Sequence, residues 1–203
     1  MQQNYAAATE LLNSLHASGP ELAVRVPLER GRVLNSSGSP DAARPLFEAA
    51  FAAATEGGFE HLAVDALHMV AIVAPASEQE ALNRRALALA AAAGDPRARD
   101  WRGSLLNNLG WTLFDRGDLK EALSTFDEAL AARIEQGKPD NIQVARWCVG
   151  RTLRALGRLD EALAIQRALA TEHAAAGSTD PYVQEELAEL ESALKAGSPP
   201  TPE

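Results

Sequence analysis

The sequence has few of the residues that build disulfide frameworks, metal clusters or membrane spans. Its 203 residues contain one cysteine, Cys148, which excludes an internal disulfide and a site built on paired cysteines. No apolar run is long enough to cross a bilayer, and residues 1–4 have neither the basic nor the apolar part of a signal peptide. We therefore expect a cytoplasmic protein without a membrane partner.

Positive charge is also scarce. Lysine and arginine total 19 against 28 aspartates and glutamates, so the net charge is -9 at pH 7. Such a chain is repelled by the phosphates of nucleic acids and by anionic membranes. The densest basic stretch is short, and we interpret it as a solvated helix start; it contains Arg97, Arg99, Trp101 and Arg102. A protein or peptide partner is more consistent with this charge than a nucleic acid.

Motifs for catalysis are missing as well. The sequence contains no phosphate-binding loop, no dinucleotide-binding glycine pattern, and neither HExxH nor GxSxG. It therefore predicts neither an enzyme nor a cofactor.

The composition that remains favours helices. Alanine, the strongest helix former, is abundant, whereas aromatic residues make up only 5% of the chain. The β-branched residues are scattered and never alternate with polar residues as they do in strands. We expect an all-α protein without a sheet.

One pattern recurs four times along the chain. Its clearest copy places Leu109 and Gly110 ahead of Ala122, Phe126 and Ala129. In each copy an alanine follows the first marked position by twelve residues; the four pairs are 31 and 43, 69 and 81, 110 and 122, and 150 and 162. The second copy is the most divergent, with Met69 and Arg85 where the third has Gly110 and Phe126. Four copies in the same register indicate a repeat architecture.

This pattern resembles the tetratricopeptide repeat (TPR), in which a small residue lets helix A pack closely on helix B. Steps of 38, 41 and 40 residues between copies exceed the usual 34 and approach those of HEAT and armadillo repeats, but the glycine–alanine–phenylalanine offsets favour TPR. The resemblance implies a right-handed α-solenoid of four TPR-like helical hairpins with an N-terminal and a C-terminal capping helix.

The predicted boundaries follow from glycine stops and Asp-Pro starts. We predict one solenoid domain over 1–196 and a disordered tail over 197–203. The predicted repeats are 21–57, 59–94, 97–137 and 140–177, and the capping helices are 4–17 and 181–195. Helix A is expected at 21–36, 59–74, 97–115 and 140–155, and helix B at 41–56, 78–93, 119–136 and 159–176.

The resemblance also implies where a partner binds, because helix A of a TPR lines a concave groove. Asparagine can hydrogen-bond a peptide backbone, arginine can hold a carboxylate in a fork, and tryptophan and arginine are enriched at binding hot spots. On these grounds the predicted groove residues are Asn107, Trp111, Trp147, Arg151, Arg154 and Arg32. The leading functional prediction is a scaffold that binds a protein or peptide in this groove.

Three alternatives stay open at the sequence level. The chain could be a regulator that senses a small peptide or metabolite, or a self-assembling structural unit. We expect a monomer or a homodimer. It could also bind a metal through His61, Asp65 and His68, which share one helical face. For that cluster we favour a structural role, in which Asp65 pairs with Arg85 and His68 lies nearby.

Overall fold

The computed structural model describes residues 2–14 and 19–197, and this part of the chain consists of helices joined by short turns, without a strand. The helices are α1 (Gln2–Ser14), α2 (Pro20–Ser36), α3 (Pro40–Glu56), α4 (Glu60–Val73), α5 (Ala76–Ala92), α6 (Pro96–Arg99), α7 (Arg102–Arg116), α8 (Leu119–Gln136), α9 (Pro139–Ala155), α10 (Leu159–Ala175) and α11 (Pro181–Gly197). The predicted all-α class is confirmed. Residues 15–17 of the first predicted helix and 198–203 of the predicted tail lie outside the described residues.

The chain divides into two compact units, Met1–Thr112 and Leu113–Glu203. In the first unit α2 packs on α3, α3 on α4, and α4 on α5. In the second unit α8 packs on α9, α9 on α10, and α10 on α11. Packing between consecutive helices joined by short turns is the helical-hairpin arrangement that the repeat pattern predicts.

Glycine allows the closest helix contacts within each unit. A Cβ atom added at Gly31 of α2 would lie 2.5 Å from Cε1 of Phe47 on α3, closer than real Cβ atoms approach. A Cβ added at Gly150 of α9 would lie 2.7 Å from Nε2 of Gln166 on α10. The predicted role of the small residue, close packing of helix A on helix B, is therefore confirmed at both positions.

The side chains that meet these glycines differ in polarity. Phe47 and Phe126 are fully buried and follow Gly31 and Gly110 by sixteen residues. Gln166 follows Gly150 by the same spacing and is also fully buried. Within the described structure, its amide oxygen and nitrogen have no hydrogen-bond partner. The fourth repeat thus places a polar amide where two other repeats place a phenyl ring.

The predicted Asp-Pro helix starts are confirmed. The Asp95 carboxylate accepts a hydrogen bond from the Arg97 backbone at 2.9 Å, and Pro96 is the first residue of α6. Asp180 Oδ1 accepts from the backbones of Tyr182 and Val183 at 2.8 and 3.2 Å, ahead of α11. These carboxylates satisfy amide groups that have no partner within their own helices.

The predicted continuous helix over 97–115 is wrong. The short helix α6 ends at Arg99, and α7 begins only at Arg102. The Arg99 side chain donates to the carbonyl oxygens of Ala93 and Gly94 at 2.8 and 2.9 Å, which binds α6 to the end of α5. In the intervening turn the Trp101 ring packs on His68, with centroids 5.0 Å apart. These contacts between elements are invisible in a helical sequence pattern.

Candidate functional site

A pocket of about 430 Å³ opens in the second unit among α9, the end of α10 and the start of α11. Its lining residues are Asp140, Gln143, Val144, Trp147, Leu169, His173, Asp180, Tyr182 and Val183. We call it the α9–α11 pocket. Its volume lies within the range of small-ligand sites, about 300–1,000 Å³.

The wall of this pocket is apolar and aromatic. The rings of Trp147 and Tyr182 lie 6.2 Å apart at an interplanar angle of 71°, the edge-to-face geometry that aromatic pairs favour. Leu169 and Val183 are buried behind them, whereas Tyr182 is 65% exposed and Val144 57% exposed. Large apolar side chains exposed beside a cavity are characteristic of interaction surfaces.

The rim of the pocket is polar and mainly acidic. Asp140 lies in the first turn of α9, and Asp180 precedes α11. His173 Nε2 lies 3.9 Å from Asp180 Oδ2. The described lining residues include no lysine or arginine. The rim therefore presents two carboxylates and one imidazole, together with the uncharged amide of Gln143.

Arg146 of α9 pairs with a carboxylate that does not line the pocket. Arg146 Nη1 lies 2.5 Å from Glu172 Oε1, and the amide of Gln143 donates to Glu172 Oε2 at 3.3 Å. The Arg146 guanidinium lowers the pKa of the Glu172 carboxyl. The charges of Arg146 and Glu172 neutralise each other, so this ion pair leaves the acidic character of the rim unchanged.

Beyond the pocket, α9 and α11 are joined by a buried carboxylate. Arg154 donates to Glu186 through Nε at 2.7 Å and Nη2 at 2.9 Å, and Arg151 Nε lies 3.0 Å from the same carboxylate. The Glu186 hydrogen bonds raise the pKa of the Arg154 guanidinium. The Arg151 guanidinium also lies over the Phe114 ring, 5.3 Å from its centroid. The fork predicted for a partner's carboxylate holds a carboxylate of this chain.

The pocket and the ion pairs belong to one contact line between two helices. Asp140, Trp147 and Arg154 are seven residues apart on α9 and share one helical face. On α11, Tyr182 and Glu186 are four residues apart and also share a face. Trp147 meets Tyr182, and Arg154 meets Glu186. The ion pairs therefore hold α11 in the position that places Tyr182 at the pocket.

The predicted groove residues are divided between the two units. Trp147 lines the pocket, and Arg151 and Arg154 pair with Glu186. Asn107 and Trp111 lie in the first unit, half-buried and one helical turn apart on α7. Arg32, also in the first unit, forms ion pairs with Glu29 and Asp65.

Sequence reasoning missed most of the pocket lining. The sequence predicts Asp180 only as a helix start, and it predicts the helix that carries Tyr182 only as a cap. The aromatic residue directly after the Asp180-Pro181 start was the signal that could have drawn attention to this site.

The predicted pairing of Asp65 with Arg85 is wrong. Asp65 pairs with Arg32 of α2 instead, because its side chain faces the preceding hairpin. Arg85 is exposed on α5, and its guanidinium lies 4.9 Å from the centroid of the Phe51 ring. The divergent residue of the second repeat thus covers an aromatic side chain on its surface.

The three residues considered for a metal contact different partners. His61 Nδ1 lies 3.3 Å from Asp95 Oδ2, Asp65 pairs with Arg32, and His68 Nδ1 accepts from the Asn108 amide at 3.2 Å. Burial, together with the positive charge of Arg32, lowers the pKa of His68 to about 4. Among the residues that the structure describes, no three His, Cys, Asp or Glu side chains are placed to hold a metal ion.

Comparison with known proteins agrees with this architecture. A family model described as tetratricopeptide repeat matches residues 102–135, which span α7 and α8. A kinesin-light-chain-like protein of Podospora anserina with nearly identical TPR-like repeats is similar in structure, with a TM-score of 0.71 and 19% identity over 90% of this chain and 91% of that one. BtubC (BKLC) from P. vanneervenii has a TM-score of 0.64 and 19% identity over 100% of this chain and 76% of its own. No protein of curated function matches the sequence.

These observations define an all-α helical-repeat protein of the solenoid class. Residues 102–135 match the tetratricopeptide repeat that the sequence predicts, and the similar structure from Podospora anserina has TPR-like repeats. Folds of this type generally act as scaffolds for protein–protein interaction. None of the described helices is long and apolar enough to span a membrane.

Proposed function

We propose that this protein is a protein-binding scaffold and that a side chain of its partner inserts into the α9–α11 pocket. The observation that carries the proposal is the exposure of Tyr182 and Val144, 65% and 57%, at the mouth of a cavity that Trp147 also lines. Aromatic anchors around a concave site are typical of binding hot spots. In this proposal Trp147 and Tyr182 provide the contact area, and Leu169 and Val183 form the apolar floor.

The other predicted groove residues lie outside the lining of the α9–α11 pocket. Asn107 and Trp111 remain predicted contact residues of the first unit. Arg32, Arg151 and Arg154 already pair with carboxylates of the chain, so a partner's carboxylate would have to compete for them. For this reason the proposal depends on the pocket and not on the arginines.

The proposal can be tested with peptides selected from a random library on the immobilised full chain. Tyr182→Ala and Val144→Asp should each weaken binding of the selected peptides at least about tenfold, since hot-spot truncations cost about 2 kcal/mol or more. Ile134→Asp is the matched control, because Ile134 has the same 57% exposure as Val144 and does not line the pocket. Selected peptides that bind all three variants equally would exclude the pocket as the binding site.

The open alternatives give different results in solution. A self-assembling unit that uses this surface would show a mass that rises with concentration and falls in Val144→Asp. A sensor of a small metabolite would lose peptide binding when the metabolite fills the pocket.

A further inference from the structure

We propose that the α9–α11 pocket selects a positively charged side chain, an arginine flanked by apolar residues in an extended segment of the partner protein. This inference rests on the proposed function and specifies the chemistry of the partner. It depends on three features of the described residues: the charge of the rim, the angle between the two aromatic rings, and the occupied arginine forks beyond the pocket.

The charge of the rim favours a cation. Asp140 and Asp180 are the carboxylates among the described lining residues, and His173 is the third titratable group. Asp180 uses Oδ1 to cap α11, while its Oδ2 lies on the His173 side. Arg146 and Glu172 compensate each other outside the lining. A guanidinium at the mouth would therefore meet two carboxylates, whereas an incoming carboxylate would be repelled.

The aromatic wall suits the stem and the head of an arginine. Trp147 and Tyr182 meet at 71° and form a corner, not a flat wall. A cation within about 6 Å of a ring centroid is attracted by the π face, and tryptophan and tyrosine are effective partners. The methylene stem of arginine can lie along the apolar wall while its head stays at the polar rim. The apolar neighbours would contact the exposed Val144.

The ion pairs beyond the pocket disfavour an acidic segment of the partner. Arg151 and Arg154 are the α9 cations that continue the pocket's face, and both bind Glu186. Glu186 is only 4% exposed, so an incoming carboxylate would have to displace a buried carboxylate to reach them. An acidic ligand would thus meet a negative rim and occupied arginines.

The test uses three short capped peptides of sequence Ser-Leu-X-Leu-Ser, in which X is arginine, citrulline or glutamate. Citrulline keeps the shape of arginine but lacks its charge. Binding to the full chain is followed by NMR, through the ring signals of Trp147 and Tyr182. We expect the arginine peptide to shift these signals and to bind at least about tenfold more tightly than the other two. Its affinity should fall as salt is raised.

Two double variants, each of which neutralises two carboxylates, provide the second arm. Asp140→Asn combined with Asp180→Asn should remove the preference for arginine over citrulline, and asparagine can still cap α11. Asp160→Asn combined with Glu191→Gln changes the net charge equally on exposed residues outside the pocket, so the preference should persist. If the first double variant fails to fold, the comparison of the three peptides on the unmodified chain decides alone.

The possible results separate this inference from the proposed function. Equal binding of all three peptides that is lost in Tyr182→Ala would overturn charge selection and leave a pocket for apolar side chains. Tighter binding of the glutamate peptide would reverse the inference. If no peptide shifts the two ring signals and library-selected peptides are unaffected by Val144→Asp, the proposed function fails as well.

Discussion

Arg154 of α9 and Glu186 of α11 are joined by two hydrogen bonds, of 2.7 and 2.9 Å, across 32 residues of sequence. The Glu186 carboxylate is buried, and Arg151 Nε lies 3.0 Å from it. A buried carboxylate with two cationic partners is the arrangement in which loss of one charge is most harmful, because the remaining charges stay desolvated.

The first prediction concerns this contact. Glu186→Gln should lower the free energy of unfolding of the second unit by about 2 kcal/mol, below the usual 3–5 kcal/mol because both arginines are partly exposed. Glu189→Gln is the control, since that side chain is 60% exposed and lies 3.7 Å from Arg154; its effect should be below about 0.5 kcal/mol. Urea titration followed by circular dichroism measures both. Equal effects in the two variants would show that burial of Glu186 adds nothing.

The second prediction concerns the buried amide of Gln166. Gln166→Met should raise the unfolding free energy by about 1–2 kcal/mol, because it replaces an unsatisfied polar group with an apolar side chain of similar length. Gln184→Met, at an exposed position of α11, should change it by less than about 0.5 kcal/mol. Thermal unfolding of the two variants gives the comparison. A destabilised Gln166→Met variant would indicate that the amide is hydrogen-bonded in solution.

The third prediction concerns the close approach of α2 and α3. Gly31→Ala should destabilise the first unit by about 1–3 kcal/mol, since the added methyl group would overlap the buried ring of Phe47. Gly94→Ala is the control, because there a Cβ would meet the two carboxylate oxygens of Glu60 at ordinary contact distances of 3.6 and 4.0 Å. Urea midpoints of the two variants provide the measurement. A neutral Gly31→Ala would mean that the two helices can separate without cost.

The fourth prediction concerns acid stability. The pKa of His68 is about 4 in the folded protein and 6.5 in the absence of burial, so between these values the unfolded chain binds more protons than the folded one. The unfolding free energy should therefore fall as the pH is lowered from about 6.5 to 4, and lie about 3 kcal/mol lower at the acidic end, at about 1.4 kcal/mol per pKa unit.

The measurement for this prediction is a series of urea titrations across that pH range. In His68→Gln the side chain at position 68 cannot titrate, so the unfolding free energy should depend less steeply on pH than in the wild type. The same slope in the wild type and in His68→Gln would refute the assignment to His68.

Local patterns account for what could be predicted of the fold. Ala43 and Phe47 are four residues apart on α3 and share one helical face, and this periodicity can be predicted from the sequence. Asp95 and Asp180 accept hydrogen bonds from amide groups two or three residues away, so their role as helix starts can also be predicted from the sequence. The failure at Asp100–Trp101 came from contacts with α5 and with His68, which no helical period records.

The candidate site was predictable only in part, for the same reason. The sequence predicts Trp147 as a groove residue from its position within the repeat, and in the structure Trp147 lines the pocket. The places of Tyr182, Leu169 and Val183 in the pocket are not predicted, since they depend on how three helices meet.

By itself, the sequence determined an all-α helical-repeat architecture and nearly all helix boundaries, because these depend on interactions within a few residues of the chain. Tertiary structure decided the partners of the charged side chains: Asp65 binds Arg32 rather than Arg85, and Arg154 binds Glu186. It also decided that α11 provides a wall of the pocket. Ion pairs and cavities depend on distances between helices far apart in sequence, and only the packing of those helices sets these distances.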